Sequence, residues 1–175
     1  MEKELELKFT KLENSRLQLL EQLKHVDTNK LSISPSHNKW SVAQVIYHLN
    51  TAESLSTIYV SKKMKDINNI KVTGAIEWFK LLLVKIAFIL PFKYKAPAVL
   101  GDMPKEINYS DIINKWEETR KNLRQLLNSI PDELLRKNIF KQPAAGRLNI
   151  YQMIDFMQAH FNRHKKQIEA LIKAK

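Results

Sequence analysis

The sequence predicts an all-α fold: an up-and-down four-helix bundle with an extra short helix. Three observations carry this. Apolar residues recur at helical spacing in several long segments, and polar or proline-containing stretches separate those segments. No segment has the strict apolar–polar alternation of a half-buried strand. No long repeat unit is visible, which excludes a solenoid. At 175 residues the chain fits one domain spanning 1–175. A domain of that size buries roughly 70% of the surface its unfolded chain exposes, so it needs neither metal nor disulfide simply to stay folded.

The elements follow in order. From about Glu4 to His25, residues Phe9, Leu12, Leu19, Leu20 and Leu23 form an apolar stripe opposite a charged face, which predicts a helix. Val26 to Asn38 has loop composition. Trp40-Ser41-Val42-Ala43-Gln44-Val45 is a helix start, with Ser41 and Gln44 spaced for a capping box and Trp40 and Val45 for a hydrophobic staple. That helix runs to about Lys63, with Val45, His48, Ala52, Leu55 and Tyr59 as its expected inner face. Asp66 to Thr73 is a polar connection. Ala75 to Leu90, ending at Pro91, is the most apolar stretch, interrupted by Glu77, Lys80 and Lys85. A span needs about twenty apolar residues, so a bundle helix is expected. A helix lying in a membrane interface is the lesser alternative.

Phe92 to Asn108 holds Pro97, Gly101 and Pro104 and reads as a long loop. Asn108 or Ser110 then caps a helix to about Ser129, with Ile112, Trp116, Leu123, Leu126 and Leu127 inward. Pro131 to Leu135 reads as a short helical turn with proline at its start, and Gln142 to Arg147 as a turn. Leu148-Asn149-Ile150-Tyr151-Gln152-Met153 repeats the earlier pattern of staple, cap, glutamine and staple. It launches the last helix, Met153 to Ile172. The three tryptophans, Trp40, Trp78 and Trp116, are expected in the core or in staples.

Charge and composition remove several function classes. Lys and Arg number 29 against 18 Asp and Glu, a net +11. An excess of this kind favours nucleic acid or anionic membranes, but the lysines are dispersed and no aromatic–basic motif is present. Neither nucleic acid nor membrane is therefore expected as a partner. With no cysteine, disulfides, thiol nucleophiles and cysteine-ligated metals are excluded. The N-terminus is charged from its second residue and lacks an apolar export signal, so a cytoplasmic protein is expected. Neither GxGxxG nor GxxxxGK[ST] nor a Gly-x-Ser-x-Gly elbow occurs.

The chemistry concentrates in the last helix. His160 and His164 are four residues apart, so they lie on one helical face about 40° from each other. They share that face with Met153, Phe156, Met157, Ile168 and Leu171. His48 is expected inward on another helix. Three imidazoles suit Zn²⁺, Ni²⁺ or Fe²⁺, and three protein ligands leave a position open for chemistry. A histidine pair that merely packs is the competing reading. Phe161, not glutamate, follows His160, which disfavours the HExxH peptidase motif. Di-iron bundles need more inward carboxylates. Glu53 and Asp155 lie five residues from the nearest histidine, off its stripe, and are expected at most behind the ligands. His25 and His37 are expected in solvent. Arg163 reads as a surface cation able to orient an anionic ligand.

Trp40-Ser41-x-x-x-Val45-x-x-His48-Leu49, followed much later by His160-x-x-Arg163-His164-x-x-Gln167-Ile168, resembles the DinB/YfiT-like superfamily. Pro143-x-x-Gly146-x-Leu148 and Lys95-Ala96-Pro97 also resemble its members, and the likeness covers about Leu12 to Leu171. The resemblance implies a four-helix bundle, a metal site of His48, His160 and His164 holding Zn²⁺ or Ni²⁺, and a homodimer. Characterised relatives include bacillithiol S-transferases and mycothiol-dependent maleylpyruvate isomerase. The expected function is thus a metal-dependent transfer of a low-molecular-weight thiol to a small electrophilic substrate. The alternatives are a metal-dependent hydrolase of the same fold and a non-catalytic metal- or ligand-binding stress protein. Relatives often carry histidine before the proline matching Pro143. Gln142 stands there in this chain, a change expected at the pocket rim.

Overall fold

The computed structural model describes residues 1–36, 39–65, 70–90 and 102–173. It contains helices α1 (Lys3–Leu23), α2 (Thr28–Ser32), α3 (Val42–Lys63), α4 (Ala75–Ile89), α5 (Tyr109–Ser129) and α6 (Ile150–Lys173). A hairpin of β1 (Phe140–Gln142) and β2 (Gly146–Leu148) precedes α6. His37, Pro91, Lys95-Ala96-Pro97 and the first half of the Asp66–Thr73 connection lie outside the described residues.

Helices α1, α3, α5 and α6 make the bundle. α3 packs on α5 and α6, and α1 closes the ring against the same two helices. The cap residues set where these helices start. The Ser41 hydroxyl accepts from the Gln44 amide at 3.1 Å, and the Gln44 side-chain oxygen accepts from the Ser41 amide at 2.9 Å. The Gln44 carboxamide nitrogen also donates to the Pro104 and Lys105 carbonyls at 2.8 and 3.3 Å. One side chain therefore starts α3 and ties it to the approach to α5. Asn149 and Gln152 repeat the reciprocal arrangement at α6, at 2.9 and 3.1 Å. Asn108, and not Ser110, caps α5, accepting from the Asp111 amide at 3.0 Å. Pro131 leads into a short 3₁₀ turn, Asp132–Leu134.

A polar network crosses the bundle. Arg120 donates to both Glu53 oxygens at 2.7 and 2.8 Å, and the Trp116 indole N–H donates to Glu53 at 2.9 Å. Arg120 also reaches Glu13 at 3.2 Å, and Arg16 bonds Glu13 and Glu117. Both guanidinium groups lie over the Trp116 ring. This network joins α1, α3 and α5 and satisfies charges that burial would otherwise penalise heavily.

Four local expectations are corrected. The stretch read as loop contains α2, capped by Asp27 and anchored by buried Leu31. Five residues are too few to display a helical period. The turn at Gln142–Arg147 is the end of a two-stranded antiparallel hairpin pairing Phe140 with Leu148 and Gln142 with Gly146. Its three-residue strands are likewise too short to alternate visibly. Gly146 has φ +83°, which glycine adopts without strain. The buried face of α3 is Val42, Val45, Ile46, His48, Leu49, Glu53 and Val60, while Leu55 is exposed and Ala52 and Tyr59 are half-buried. That face is turned because α3 is wedged between α5 and α6.

The fourth correction concerns α4, which lies outside the bundle against α6 and β2. Only Leu81 of α4 is fully buried, and Trp78 is 60% exposed. Trp116 is a core residue and Trp40 packs half-buried against the core, as expected.

Candidate metal centre

The structure brings His48, His160 and His164 together, each under 10% exposed. His48 sits in the second turn of α3, just past the Ser41–Gln44 cap that fixes where that turn begins. His160 and His164 are one turn apart on α6. The His160 Nε2 lies 3.0 Å from His48 Nε2 and 3.1 Å from His164 Nε2. A tetrahedral ion bound at about 2.0–2.1 Å separates its nitrogen ligands by roughly 3.3 Å. The donor set is therefore spaced for a single ion with little adjustment. Among the described residues these three form a group able to hold one, with all ligand atoms within 4.8 Å of one another.

Electrostatics keep the lone pairs available. Burial pushes the His48 imidazole down to about 4. Burial likewise pushes His164 to about 4, helped by His48 and Arg163 and opposed by the Gln167 hydrogen bond. His160 is held well below its ordinary value by burial first, then by His164, His48 and Arg163. All three rings are neutral near pH 7, the form that ligates metals. The His164 Nδ1 donates to Gln167 Oε1 at 2.9 Å. That bond leaves the His164 Nε2 without a proton and facing the other rings.

Aromatic rings wall the site. Phe156 stacks on His160 with ring centroids 5.7 Å apart and planes 8° apart. Phe88 of α4 approaches the same imidazole at 5.6 Å, and Trp40 lies 5.3 Å from His48. The hairpin supports this wall through Phe140, whose ring is 6.3 Å from Phe156.

Other expected residues sit elsewhere. His25 is exposed. Glu53 is committed to Arg120 and Trp116, and Asp155 pairs with Lys8 at 2.8 Å and Lys85 at 3.5 Å. Neither stands behind the imidazoles. Gln142 uses its side-chain oxygen on the Ala144 and Ala145 amides, closing the hairpin turn. Arg163 is not simply a surface cation. It donates to the Phe88 and Leu90 carbonyls at 3.1 and 3.2 Å and lies over the Phe88 ring, fixing the end of α4 beside His160. Reasoning on residue patterns missed Phe88 and gave Gln167 no role. Its place in the His160-x-x-Arg163-His164-x-x-Gln167 motif and its three-residue spacing from His164 were the signals that could have found it.

The sequence model of the DinB superfamily matches residues 11–168. The chain is 24% identical over 157 residues to the uncharacterized protein YuaE of Bacillus subtilis (strain 168), covering 90% of this chain and 92% of that protein. No solved structure matches the chain with significance. With its matched span running from α1 almost to the end of α6, and so across all four bundle helices, the chain belongs to the DinB superfamily.

Proposed function

We propose that His48, His160 and His164 hold one divalent cation, Zn²⁺ or Ni²⁺, and that the centre serves transfer of a low-molecular-weight thiol to an electrophilic small molecule. The observation that carries this reading is the convergence of three neutral, buried imidazole nitrogens from α3 and α6. Three protein ligands leave a position for an exogenous donor, as in catalytic rather than structural sites. A cation held there supplies Lewis acidity that lowers the pKa of a bound thiol.

The chain's own residues do the rest. Gln167 holds the His164 tautomer, and Trp40, Phe88 and Phe156 form a dry wall suited to an apolar electrophile. The thiol proton leaves to solvent. The sulfur forms the new S–C bond, and the leaving group departs with the electron pair of the bond it breaks. The described carboxylates nearest in sequence to the ligands, Glu53, Asp155 and Glu169, pair with Arg120, Lys8 and Lys165. A thiol held by the cation needs no strong general base to ionise near neutral pH. Homodimerisation, implied by the likeness to the DinB/YfiT-like superfamily, completes this reading, and sedimentation velocity tests the dimer.

Metal analysis of protein purified without a histidine tag or added metal tests the first part. Near-stoichiometric Zn²⁺ or Ni²⁺, lost in His164→Ala, is the expected result. Conjugation assays with bacillithiol, mycothiol and glutathione test the second. Bound metal without thiol turnover would leave a binding protein, and turnover of a hydrolysable substrate without thiol would make the chain a hydrolase.

A further inference from the structure

We propose that α4 is a docking face for an anionic lipid surface, lying flat in the interface. Leu81, Val84 and Phe88 pack inward, while six of its large apolar side chains point away from the protein. Ile76 is 67% exposed, Trp78 60%, Phe79 55% and Ile89 73%, and Leu83 and Ile86 are exposed beside them. At 100° per residue these side chains cover one continuous face centred on Ile86. Lys80 and Lys85 stand on its two opposite borders, about 100–120° from that centre.

The one acid of α4, Glu77, is on the far side, where its carboxylate accepts from the Gly74 amide at 3.0 Å. The outward face therefore carries tryptophan, phenylalanine and aliphatic residues between one lysine on each border, Lys85 being shared with Asp155. That is the distribution expected of a helix resting at the headgroup–acyl boundary, with lysine stems extended towards phosphates.

A second feature points to the same partner. Beside Lys85 a cleft of about 220 Å³ runs between α1, α4 and α6, lined in part by Lys8, Lys11 and Asp155. Asp155, the one carboxylate among its lining residues, is shared by Lys8 and Lys85, and Glu4 lies 3.8 Å from Lys8, so three ammonium groups meet two carboxylates. The cleft thus keeps a net positive charge suited to a lipid phosphate. The whole chain, at +11, adds long-range attraction to an anionic surface.

A second copy of this chain is the weaker occupant. It would present the same lysine borders and no acid to meet them. Nor can α4 cross a bilayer: its 15 residues rise about 22 Å, short of the roughly 30 Å hydrocarbon core. No described helix is long and apolar enough to do so.

The test uses the full chain and two sets of vesicles, phosphatidylcholine alone and phosphatidylcholine mixed with phosphatidylglycerol. Co-sedimentation with the anionic vesicles is expected, reversed by salt, with a blue shift of tryptophan emission that Trp78→Phe removes. Ile86→Glu, at an exposed position that leaves the core intact, should weaken partitioning by roughly tenfold or more. Lys80→Gln should weaken it roughly fivefold. His164→Ala should partition like the wild type, so this outcome is independent of the metal reading. Circular dichroism checks that each variant is folded. Absence of binding to anionic vesicles, or equal binding by Ile86→Glu, overturns the proposal. So does a concentration-dependent oligomer that Ile86→Glu dissociates, because a second copy would then occupy the face.

Discussion

At the scale of single residues, the three imidazoles are stabilised as neutral bases by burial, and this sets a pH dependence. The folded-state values of His48 and His164 are near 4, against 6.5 ordinarily. On acidification the unfolded chain therefore takes up these protons first, and the folded state loses ground. Their contribution to stability is complete above about pH 6.5 and declines as pH falls from there towards about 4. Urea unfolding of metal-free protein across that window should show a falling midpoint, and His48→Leu/His164→Leu should flatten the fall. An equal slope in both proteins would remove the burial argument. Gln167 gives a second prediction at this scale. Without its oxygen the His164 tautomer is no longer fixed, and Gln167→Leu should lower Zn²⁺ affinity about 10–100-fold. Competition with a chromophoric chelator measures this, and unchanged affinity would mean that the 2.9 Å contact is incidental.

At the scale of elements, the cohesion of α1, α3 and α5 depends on a buried ion network rather than on apolar contact alone. Glu53 and Arg120 are each under 5% exposed and pair with each other. Removing one partner strands the other charge, so Arg120→Met should destabilise the protein by about 3–5 kcal/mol. Glu53→Leu combined with Arg120→Met should recover much of that loss, since replacing both charges by apolar groups is often neutral. Denaturant midpoints read out both variants. Metal affinity should stay close to wild type in the double variant, because neither residue touches the imidazoles. A large fall in affinity with stability restored would instead couple this network to the metal site. The hairpin is the other element with a consequence for the site. It buttresses Phe156 through Phe140, and Phe156 in turn stacks on His160.

At the scale of the whole molecule, ligands from α3 and α6 connect two of the four bundle helices. An ion held between them binds the folded state and not the unfolded one. At a free Zn²⁺ concentration about a hundredfold above Kd, linkage adds roughly 2.7 kcal/mol. For a chain of this length that corresponds to a rise in Tm of roughly 5–10 °C. Calorimetry with and without a chelator should show this shift, and His160→Ala should abolish it. A Tm indifferent to both metal and chelator would contradict a site that bridges the helices. The position of α4 belongs to this scale as well. Outside the ring of four, it has no apolar partner for its outward face among the described residues.

Much of the bundle and the identity of the converging histidines were legible in the chain itself. Long segments such as α5 and α6 carry a 3.6-residue period over several turns, and local signals mark their ends. Ser41–Gln44 and Asn149–Gln152 act within four residues, so the reciprocal hydrogen bonds they form follow from spacing alone. His160 and His164 share a face for the same local reason. Short elements, α2 and the hairpin, were not legible because neither spans two periods, so no residue pattern repeats within them. The apolar run of α4 declares a helix but not its partner: periodicity identifies an apolar face without saying whether protein covers it. The buried face of α3, the assignment of Glu53 to Arg120 across 67 residues of chain, and the placement of Phe88 beside His160 were decided only by tertiary packing. Local residue order determines where helices begin and which side chains share a face. Which faces meet is a contest among all the helices for the same buried volume, and no single segment encodes its outcome.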